Sequence, residues 1–193
     1  DRALAVQTAA NAPPLPYTRS VAHRAGWRWR IPLQSRVGNG LVYSSAHMSD
    51  DAAHDALLQA IDGEPITEPR IVRYRTGQRR KAWEANCIAL GLSSGFVEPL
   101  ESTSIHLIMI GVTRLMQLFP FDGISDALRS RFNDLAAREL EGVRDFIIAH
   151  YHLTRRSDSD FWVAMRELAI PDSLAARIEL FRQSAQAYQA SDE

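Results

Sequence analysis

The sequence predicts an α+β fold, with an antiparallel sheet in the first half of the chain and a mainly helical module in the second. Side chains alternate strictly between two faces from Trp27 to Leu33, which is typical of a strand with one buried face. Beyond Glu101, apolar residues recur every three to five positions, which is typical of amphipathic helices. We therefore divide the chain into a sheet-rich portion, residues 1–100, and a helical portion, residues 101–193.

Five segments of the first half have strand character. Trp27, Trp29 and Ile31 are expected on one face of the third segment. Gly38-Asn39-Gly40 predicts a hairpin turn before the fourth, because both glycines adopt positive φ at little cost. The segments are Ala3–Gln7, Tyr17–His23, Trp27–Leu33, Leu41–Ser45 and Ile71–Arg75.

A first helix is expected between the fourth and fifth of these segments. Ser49 or Asp50 is suited to cap its start, and Gly63 is expected to end it. The predicted inward positions are Ala53, Leu57, Ala60 and Ile61.

The basic run Arg73–Lys81, RYRTGQRRK, allows more than one interpretation. The simplest is a solvated turn around Gly77 that joins two strands, and the alternative is a site for an anionic cofactor. Nucleic acid is disfavoured, because the run lacks a series of aromatic residues on which successive bases would stack.

Three helices are predicted in the second half. Ile105–Phe119 is apolar on nearly every face and is expected to be fully buried, ending at Pro120. One long amphipathic helix is expected from Ile124 to Tyr151, and a last helix has Asp172 or Ser173 as its cap. The inward positions of the last helix are Leu174, Ile178, Phe181, Ala185 and Tyr188.

Composition narrows the classes of partner. A formal net charge of −1 provides no surplus of positive charge for nucleic acid or an anionic membrane. A single cysteine, Cys87, excludes an intramolecular disulfide and a zinc site built on several thiolates. Because the chain has neither a signal peptide nor an apolar run of the roughly 20 residues that cross a bilayer, we expect a cytoplasmic protein. The absence of an initiator Met suggests a piece of a longer chain.

Two segments rich in aromatic residues are candidates for a binding site. Gly26–Pro32 places two of the four tryptophans on one strand face, where they either wall a flat cavity or fill the core of a sheet. His150–Trp162 gathers histidine, tyrosine, arginine and tryptophan at the end of the long helix. A metal site is disfavoured there, because His150 and His152 lack the spacing of a helical metal pair.

The segment Gly91–Leu107, GLSSGFVEPLESTSIHL, is a third candidate. Ser102-Thr103-Ser104 opens a predicted helix, and the free amide groups of a helix N-terminus attract anions. Ser93-Ser94-Gly95 allows the backbone to approach a ligand closely. Glu101 has an alternative explanation as part of ordinary helix capping.

These segments together resemble the C-terminal portion of the flavin-dependent tryptophan halogenases. GWRWRIP, Gly26–Pro32, matches the family's Trp-x-Trp-x-Ile-Pro signature, and GFVEPLESTSIHL, Gly95–Leu107, matches the segment where flavin meets halide. RTGQRRKAWEANCIALG, Arg75–Gly91, resembles the lead-in to the flavin site. The resemblance covers essentially the whole chain and implies the C-terminal part of a flavin monooxygenase-like fold, with the helices as a substrate-side module.

The resemblance also implies a chemistry and residues that carry it. In the family, reduced FAD from a flavin reductase, oxygen and chloride or bromide give hypohalous acid, which reaches an active-site lysine beside a small aromatic substrate. By resemblance, Glu101 is the catalytic residue of this chain. The halide and flavin edge would lie at Thr103, Ser104, Ser102 and Gly91, and the substrate or tunnel residues would be Trp27, Trp29, Tyr151 and Trp162.

Parts of the family pattern are absent or altered. The sequence contains no Gly-x-Gly-x-x-Gly fingerprint, and its only lysine, Lys81, lies in the basic run rather than at a catalytic motif. We therefore expect a C-terminal fragment that is inactive without the N-terminal half of the same enzyme. His150 replaces a family tyrosine, Ser157 replaces a glutamate that contacts the substrate amine, and Ser104 replaces a frequent glycine.

Three interpretations of function follow from these residues. The first is a halogenase fragment that acts on an indole-like aromatic, tryptophan or a related compound. The second is a fragment of a flavin-dependent aromatic hydroxylase, which the bulk of Trp27 and Trp29 disfavours by separating substrate from flavin. The third is a non-catalytic helical interaction module. A homodimer is an open alternative for the oligomeric state.

Overall fold

The computed structural model describes residues 1–10, 13 and 15–186, and these residues form two compact units. Unit 1 comprises Asp1–Tyr74 and Thr154–Glu167. Unit 2 comprises Arg75–Leu153 and the described residues from Leu168 onward. Each unit draws on both halves of the chain. The division of the sequence at residue 100 stays a prediction.

Unit 1 is built on a five-stranded antiparallel sheet, which confirms the predicted fold class. Its strand order is β2-β3-β4-β1-β5. The alternating segment around Trp27 forms β3, whose residues pair with β2 on one side and β4 on the other. The strands are β1 (Arg2–Ala9), β2 (Arg19–His23), β3 (Gly26–Pro32), β4 (Arg36–Tyr43) and β5 (Arg70–Arg73).

One face of this sheet packs against helix α1 (Asp50–Leu58). Ser49 caps the helix as predicted, because its hydroxyl accepts a hydrogen bond from the Ala52 amide at 3.2 Å. The helix ends at Leu58 rather than at the predicted Gly63, and Ile61 packs on the core from outside the helix. The buried cluster between sheet and helix is Leu4, Val6, Leu41, Tyr43, Ala53 and Leu57.

The predicted turn at Gly38-Asn39-Gly40 is wrong. These residues lie inside β4, and the hairpin turns earlier, where the Leu33 amide donates to the Arg36 carbonyl at 2.9 Å. Gly40 stands opposite Trp29 in the strand pairing, and a Cβ atom at residue 40 would lie 2.0 Å from the indole. The glycine therefore makes room for a tryptophan and does not serve a turn.

Unit 2 contains three helices, α2 (Thr103–Gln117), α3 (Asp126–His152) and α5 (Asp172–Ser184). The long α3 confirms the helix predicted from Ile124 to Tyr151, and α5 confirms the predicted last helix. Phe181 is exposed on α5, although its spacing indicated an inward position, and Tyr188 lies outside the described residues. The short helix α4 (Asp160–Glu167), which the sequence did not predict, belongs to unit 1.

The prediction that the first of these helices is fully buried is wrong for this chain. Ile105, Met109 and Met116 are 68%, 64% and 71% exposed, and among the described residues of α2 only Gly111 is buried. The helix packs on α3 along one side, and no element of the described residues covers the apolar side that carries these three residues. Apolarity on every face predicts burial only where the covering element is present.

Two short antiparallel strand pairs precede α2 in unit 2, and the second lies within the loop that connects the strands of the first. Strand β6 (Gly77–Gln78) pairs with β9 (Gly95–Phe96), and β7 (Trp83–Glu84) pairs with β8 (Cys87–Ile88). The basic run is exposed as a solvated turn would be, but Gly77 lies in a strand and not in the turn predicted around it.

Trp83 anchors the β7–β8 hairpin to α3. The Asn133 side chain accepts from the Trp83 amide at 2.7 Å and donates to the Trp83 carbonyl at 3.0 Å. The indole meets Phe132 edge to face at 5.6 Å between ring centroids. This contact fixes the lead-in to the predicted flavin segment on the long helix. None of the described helices has both the length and the apolarity to cross a bilayer.

Candidate active site before helix α2

The backbone that enters α2 has an unusual conformation. Glu101 has φ of +62° and Ser102 has φ of +56°, so two successive non-glycine residues are left-handed. Each such residue costs about 1–2 kcal/mol relative to the right-handed conformation. Residues held in this region are typical of functional sites, where the surrounding structure maintains the strain.

Helix α2 begins at Thr103, which confirms the predicted start of the helix. Within the described residues, Ser102 occupies the cap position without a capping hydrogen bond from its side chain. A 3₁₀ turn, Leu100–Ser102, leads directly into the helix. The first amides of an α-helix have no carbonyl partner within that helix, so the amides of Thr103 and Ser104 are the donors that an anion or a polarised oxygen would meet here.

A small cavity lies further along the helix rather than at these amides. Its volume is about 30 Å³, room for a water molecule or two and far less than a ligand ring system needs. Leu107 and Gly111 line it about one and two turns beyond Thr103. The prediction that the amides of residues 102–104 face a cavity stays a prediction.

Gly91 lines the same cavity, and packing against α2 explains why this residue is a glycine. It is buried with φ of +56°, and a Cβ atom there would lie 2.4 Å from the Ile108 side chain on α2. The close approach of this loop to α2 requires glycine. Its predicted contact with halide or flavin stays a prediction.

The Glu101 carboxylate is half-exposed and faces a histidine of α3. Its Oε1 lies 3.8 Å from His150 Nε2. The other ring nitrogen of His150, Nδ1, lies 2.8 Å from the Phe146 carbonyl, and the imidazole stands edge-on to the Phe146 ring at 4.7 Å. The predicted catalytic carboxylate thus faces an imidazole that packs against Phe146.

A second carboxylate of the same loop was not among the predicted site residues. Glu98 is only 9% exposed, and the Tyr151 hydroxyl donates to its carboxylate, lying 3.0 and 2.9 Å from the two oxygens. Tyr151, predicted to contact substrate, therefore anchors the loop. Glu98 lies three residues before Glu101 in one short motif, but no local signal indicated its partner, which is 53 positions away.

The tryptophan pair of β3 lies in unit 1 with the predicted geometry. Trp27 is 6% exposed, Trp29 is half-buried, and their ring centroids are 5.9 Å apart on one sheet face. The buried Trp27 Nε1 has no hydrogen-bond partner among the described residues. The burial and the shared face are confirmed, and the barrier role between flavin and substrate stays a prediction.

Trp162 is also buried in unit 1. Its Nε1 donates to the His23 carbonyl at 2.8 Å, and the Arg156 guanidinium lies over the indole at 5.5 Å from the ring centroid. Arg156 is in turn held by Asp158 through contacts of 3.0 and 2.6 Å. The indole is thus fixed by its polar edge, and its predicted contact with substrate stays a prediction.

This fold is the fold of solved flavin-dependent halogenases. Xcc4156, a flavin-dependent halogenase from Xanthomonas campestris, matches with a TM-score of 0.95 and 50% identity, over 100% of this chain and 39% of that chain. BrvH, a flavin-dependent halogenase from Brevundimonas sp. BAL3, matches with a TM-score of 0.95 and 50% identity, over 100% of this chain and 40% of that chain.

Comparison of the sequence with known proteins identifies the family within the flavin-dependent halogenases. The tryptophan halogenase family model matches residues 1–193, so the chain belongs to the tryptophan halogenase family. The tryptophan 7-halogenase KtzQ of Kutzneria sp. (strain 744) is 42% identical over 168 residues, which are 86% of this chain and 32% of KtzQ. The chain thus spans about a third of the length of the curated relatives it matches, and the predicted resemblance is confirmed.

Proposed function

We propose that the chain is the C-terminal part of a flavin-dependent halogenase that uses reduced FAD, oxygen and chloride or bromide to halogenate an indole-like aromatic. The observation that carries the proposal is the Glu101 carboxylate on a left-handed turn next to the N-terminus of α2. Family membership and the likeness to solved flavin-dependent halogenases support it.

The residues present fit one edge of the cofactor. The donor set at the start of α2 consists of amides, which suit a halide or the carbonyl edge of a flavin. The sequence has no dinucleotide fingerprint, so the remainder of FAD would be held by the N-terminal part of the enzyme. The chemistry supplied by reduced FAD, once bound, is the activation of oxygen for oxidation of the halide.

The proposal gives a role to the residues around the start of α2 and to the tryptophan pair of β3. The amides of Thr103 and Ser104 bind the halide, with Ser102 and Gly91 shaping the loop around them. Glu101 orients the halogenating species or accepts the proton that the aromatic ring loses on substitution. Trp27 and Trp29 keep the flavin from reacting directly with the substrate.

The lysine of the reaction would also come from the N-terminal part. Lys81, the only lysine of the chain, is exposed and pairs with Glu84 at 2.8 Å. This lysine lies in the exposed basic run rather than at a catalytic motif. The fragment is therefore inactive alone, and its reductase partner acts on the complete enzyme.

The residue at position 157 favours a substrate without a cationic amine. Ser157 offers no carboxylate to an ammonium group, and the carboxylate of the next residue, Asp158, is already paired with the Arg156 guanidinium at 3.0 and 2.6 Å. KtzQ is by name a tryptophan halogenase, so the proposal separates this chain from that relative in substrate. Indole or a larger aromatic without a zwitterionic tail is the proposed substrate class.

The test is product analysis with the full-length enzyme that carries this chain. The enzyme is incubated with a flavin reductase, FAD, oxygen and either bromide or chloride, and with indole or tryptophan at equal concentration. Mass spectrometry should show a halogenated indole as the main product. A hydroxylated product that forms without halide would replace the proposal by the hydroxylase alternative, and preferred halogenation of tryptophan would overturn the proposed substrate class.

A further inference from the structure

Two neighbouring residues of α3 hold the two carboxylates of the loop before α2. Tyr151 donates to the buried Glu98 at 2.9 and 3.0 Å, and His150 Nε2 faces Glu101 Oε1 at 3.8 Å. The first contact anchors the loop from which Glu101 projects, and the second places an imidazole edge beside its carboxylate. Both contacts lie within unit 2.

The orientation of the imidazole determines what it presents to Glu101. The Phe146 carbonyl, 2.8 Å from Nδ1, can only accept, so Nδ1 carries a hydrogen. Nε2 is therefore the nitrogen that faces Glu101, and it lies 3.8 Å from Oε1, within ion-pair distance but beyond hydrogen-bond distance.

We propose that His150 is a positioning residue, which orients the Glu101 carboxylate by the approach of its Nε2 edge. This inference rests on the proposed halogenase function and deepens it. The turn at Glu101 and Ser102 is left-handed without glycine, so external contacts are needed to maintain it. The Phe146 ring and carbonyl make His150 a rigid support for this purpose.

The kinetic test uses three variants of the full-length enzyme. H150F keeps a ring against Phe146 and removes both nitrogens, whereas H150Q retains an amide N–H that can reach Glu101. H106F is the matched control, because His106 forms a pair with Glu139 at 2.8 Å between α2 and α3 of the same unit. We expect kcat to fall about tenfold in H150F with little change in KM, to recover largely in H150Q, and to stay near wild type in H106F.

A double-mutant cycle tests whether His150 acts through Glu101. If it does, H150F/E101Q should halogenate at the rate of E101Q alone, within about a factor of two. Multiplication of the two single losses would overturn the proposal, since His150 would then act independently of Glu101. Equal loss of kcat in H150F and H150Q would also overturn it.

Nitrogen NMR of histidine-labelled enzyme provides a readout that needs no turnover. The wild-type His150 should show a hydrogen on Nδ1, and E101Q should move the Nε2 resonance of His150 while those of His106 stay in place. Unchanged Nε2 would overturn the positioning role. An enzyme that makes no halogenated product but shows this shift would fail the halogenase proposal and retain the His150–Glu101 contact.

Discussion

Trp29 lies across Gly40 of the neighbouring strand, so closely that a Cβ atom at residue 40 would stand 2.0 Å from the indole Cζ2. The same tryptophan contacts Trp27, so the position of the indole pair depends on the absence of a side chain on β4. The motif on β3 and the glycine on β4 are therefore one structural feature.

This relationship predicts a cost for the smallest possible side chain. We expect Gly40→Ala to lower the free energy of unfolding by about 1–3 kcal/mol, because the ring or the strand must move. Gly38→Ala is the matched control on the same strand, since its Cβ would meet its nearest neighbour at 3.8 Å, an ordinary contact. Chemical denaturation of both variants measures the difference, and equal midpoints would contradict the prediction.

The left-handed turn before α2 makes a second prediction. Ser102 has φ of +56°, so Ser102→Gly should keep or raise the unfolding midpoint, because glycine adopts this conformation without strain. Ser102→Val should lower the unfolding free energy by about 1–2 kcal/mol, because a β-branched residue is unfavourable there. Thermal or chemical unfolding ranks the two variants. A valine variant as stable as the glycine variant would show that the turn is not left-handed in solution.

The Tyr43–Asp50 pair predicts how stability changes in alkali. Burial, and then the hydrogen bond to Asp50 at 2.7 Å, raise the pKa of Tyr43 to about 12 from an ordinary 10.0. Since the folded state holds this proton more tightly, the contribution is complete below pH 10.0 and is lost as the pH rises toward about 12. Tyr43→Phe should remove this part of the pH dependence. If the free energy of unfolding of the wild type and of the variant changed equally with pH across that range, the predicted role of Tyr43 would be refuted.

The hydrogen bonds around Asp50 also make the free energy of unfolding depend on pH in acid, where stability is lost as the pH falls. Hydrogen bonds from Tyr43 and then Arg2 hold the pKa of Asp50 below its ordinary value. The stability that they contribute is present above the ordinary carboxyl pKa of about 4 and is lost as the pH falls through the lower folded value. Asp50→Asn should therefore flatten the stability profile on the acid side, as followed by unfolding below neutral pH.

The spacing of apolar residues was sufficient to predict those strands and helices whose residues alternate between a buried and an exposed face. Strict alternation around Trp27 predicted β3, because a strand with one buried face has no other period. Spacings of three to five residues predicted α3 almost to its ends for the same kind of reason. The start of α2 also followed from local signals, namely small polar residues before an apolar run.

Contacts between distant residues were beyond such patterns. Glu98 and Tyr151 are 53 positions apart, so nothing in either segment indicated that one anchors the other. Gly40 was misread because glycine serves both turns and close approaches, and only the facing Trp29 distinguishes the two. The exposure of Ile105 and Met109 depends on what covers α2, which its own sequence does not specify.

The last prediction concerns Glu101 in the full-length enzyme. Glu101→Gln removes the charge with little change in volume, so a catalytic carboxylate and a merely structural one predict different results. If the carboxylate orients the oxidant or accepts the ring proton, halogenation should slow by about 10²-fold or more at unchanged flavin binding. If Glu101 only supports the helix end, the change should cost about 1 kcal/mol of stability and leave turnover nearly intact. Steady-state rates are measured together with flavin occupancy, and Glu139→Gln, which alters the other histidine–glutamate pair of unit 2, is the control. Near-equal rates for wild type and Glu101→Gln at equal flavin occupancy would assign the carboxylate to structure alone. The substitution removes the only charge of this half-exposed side chain, so a catalytic role of that charge could not survive it.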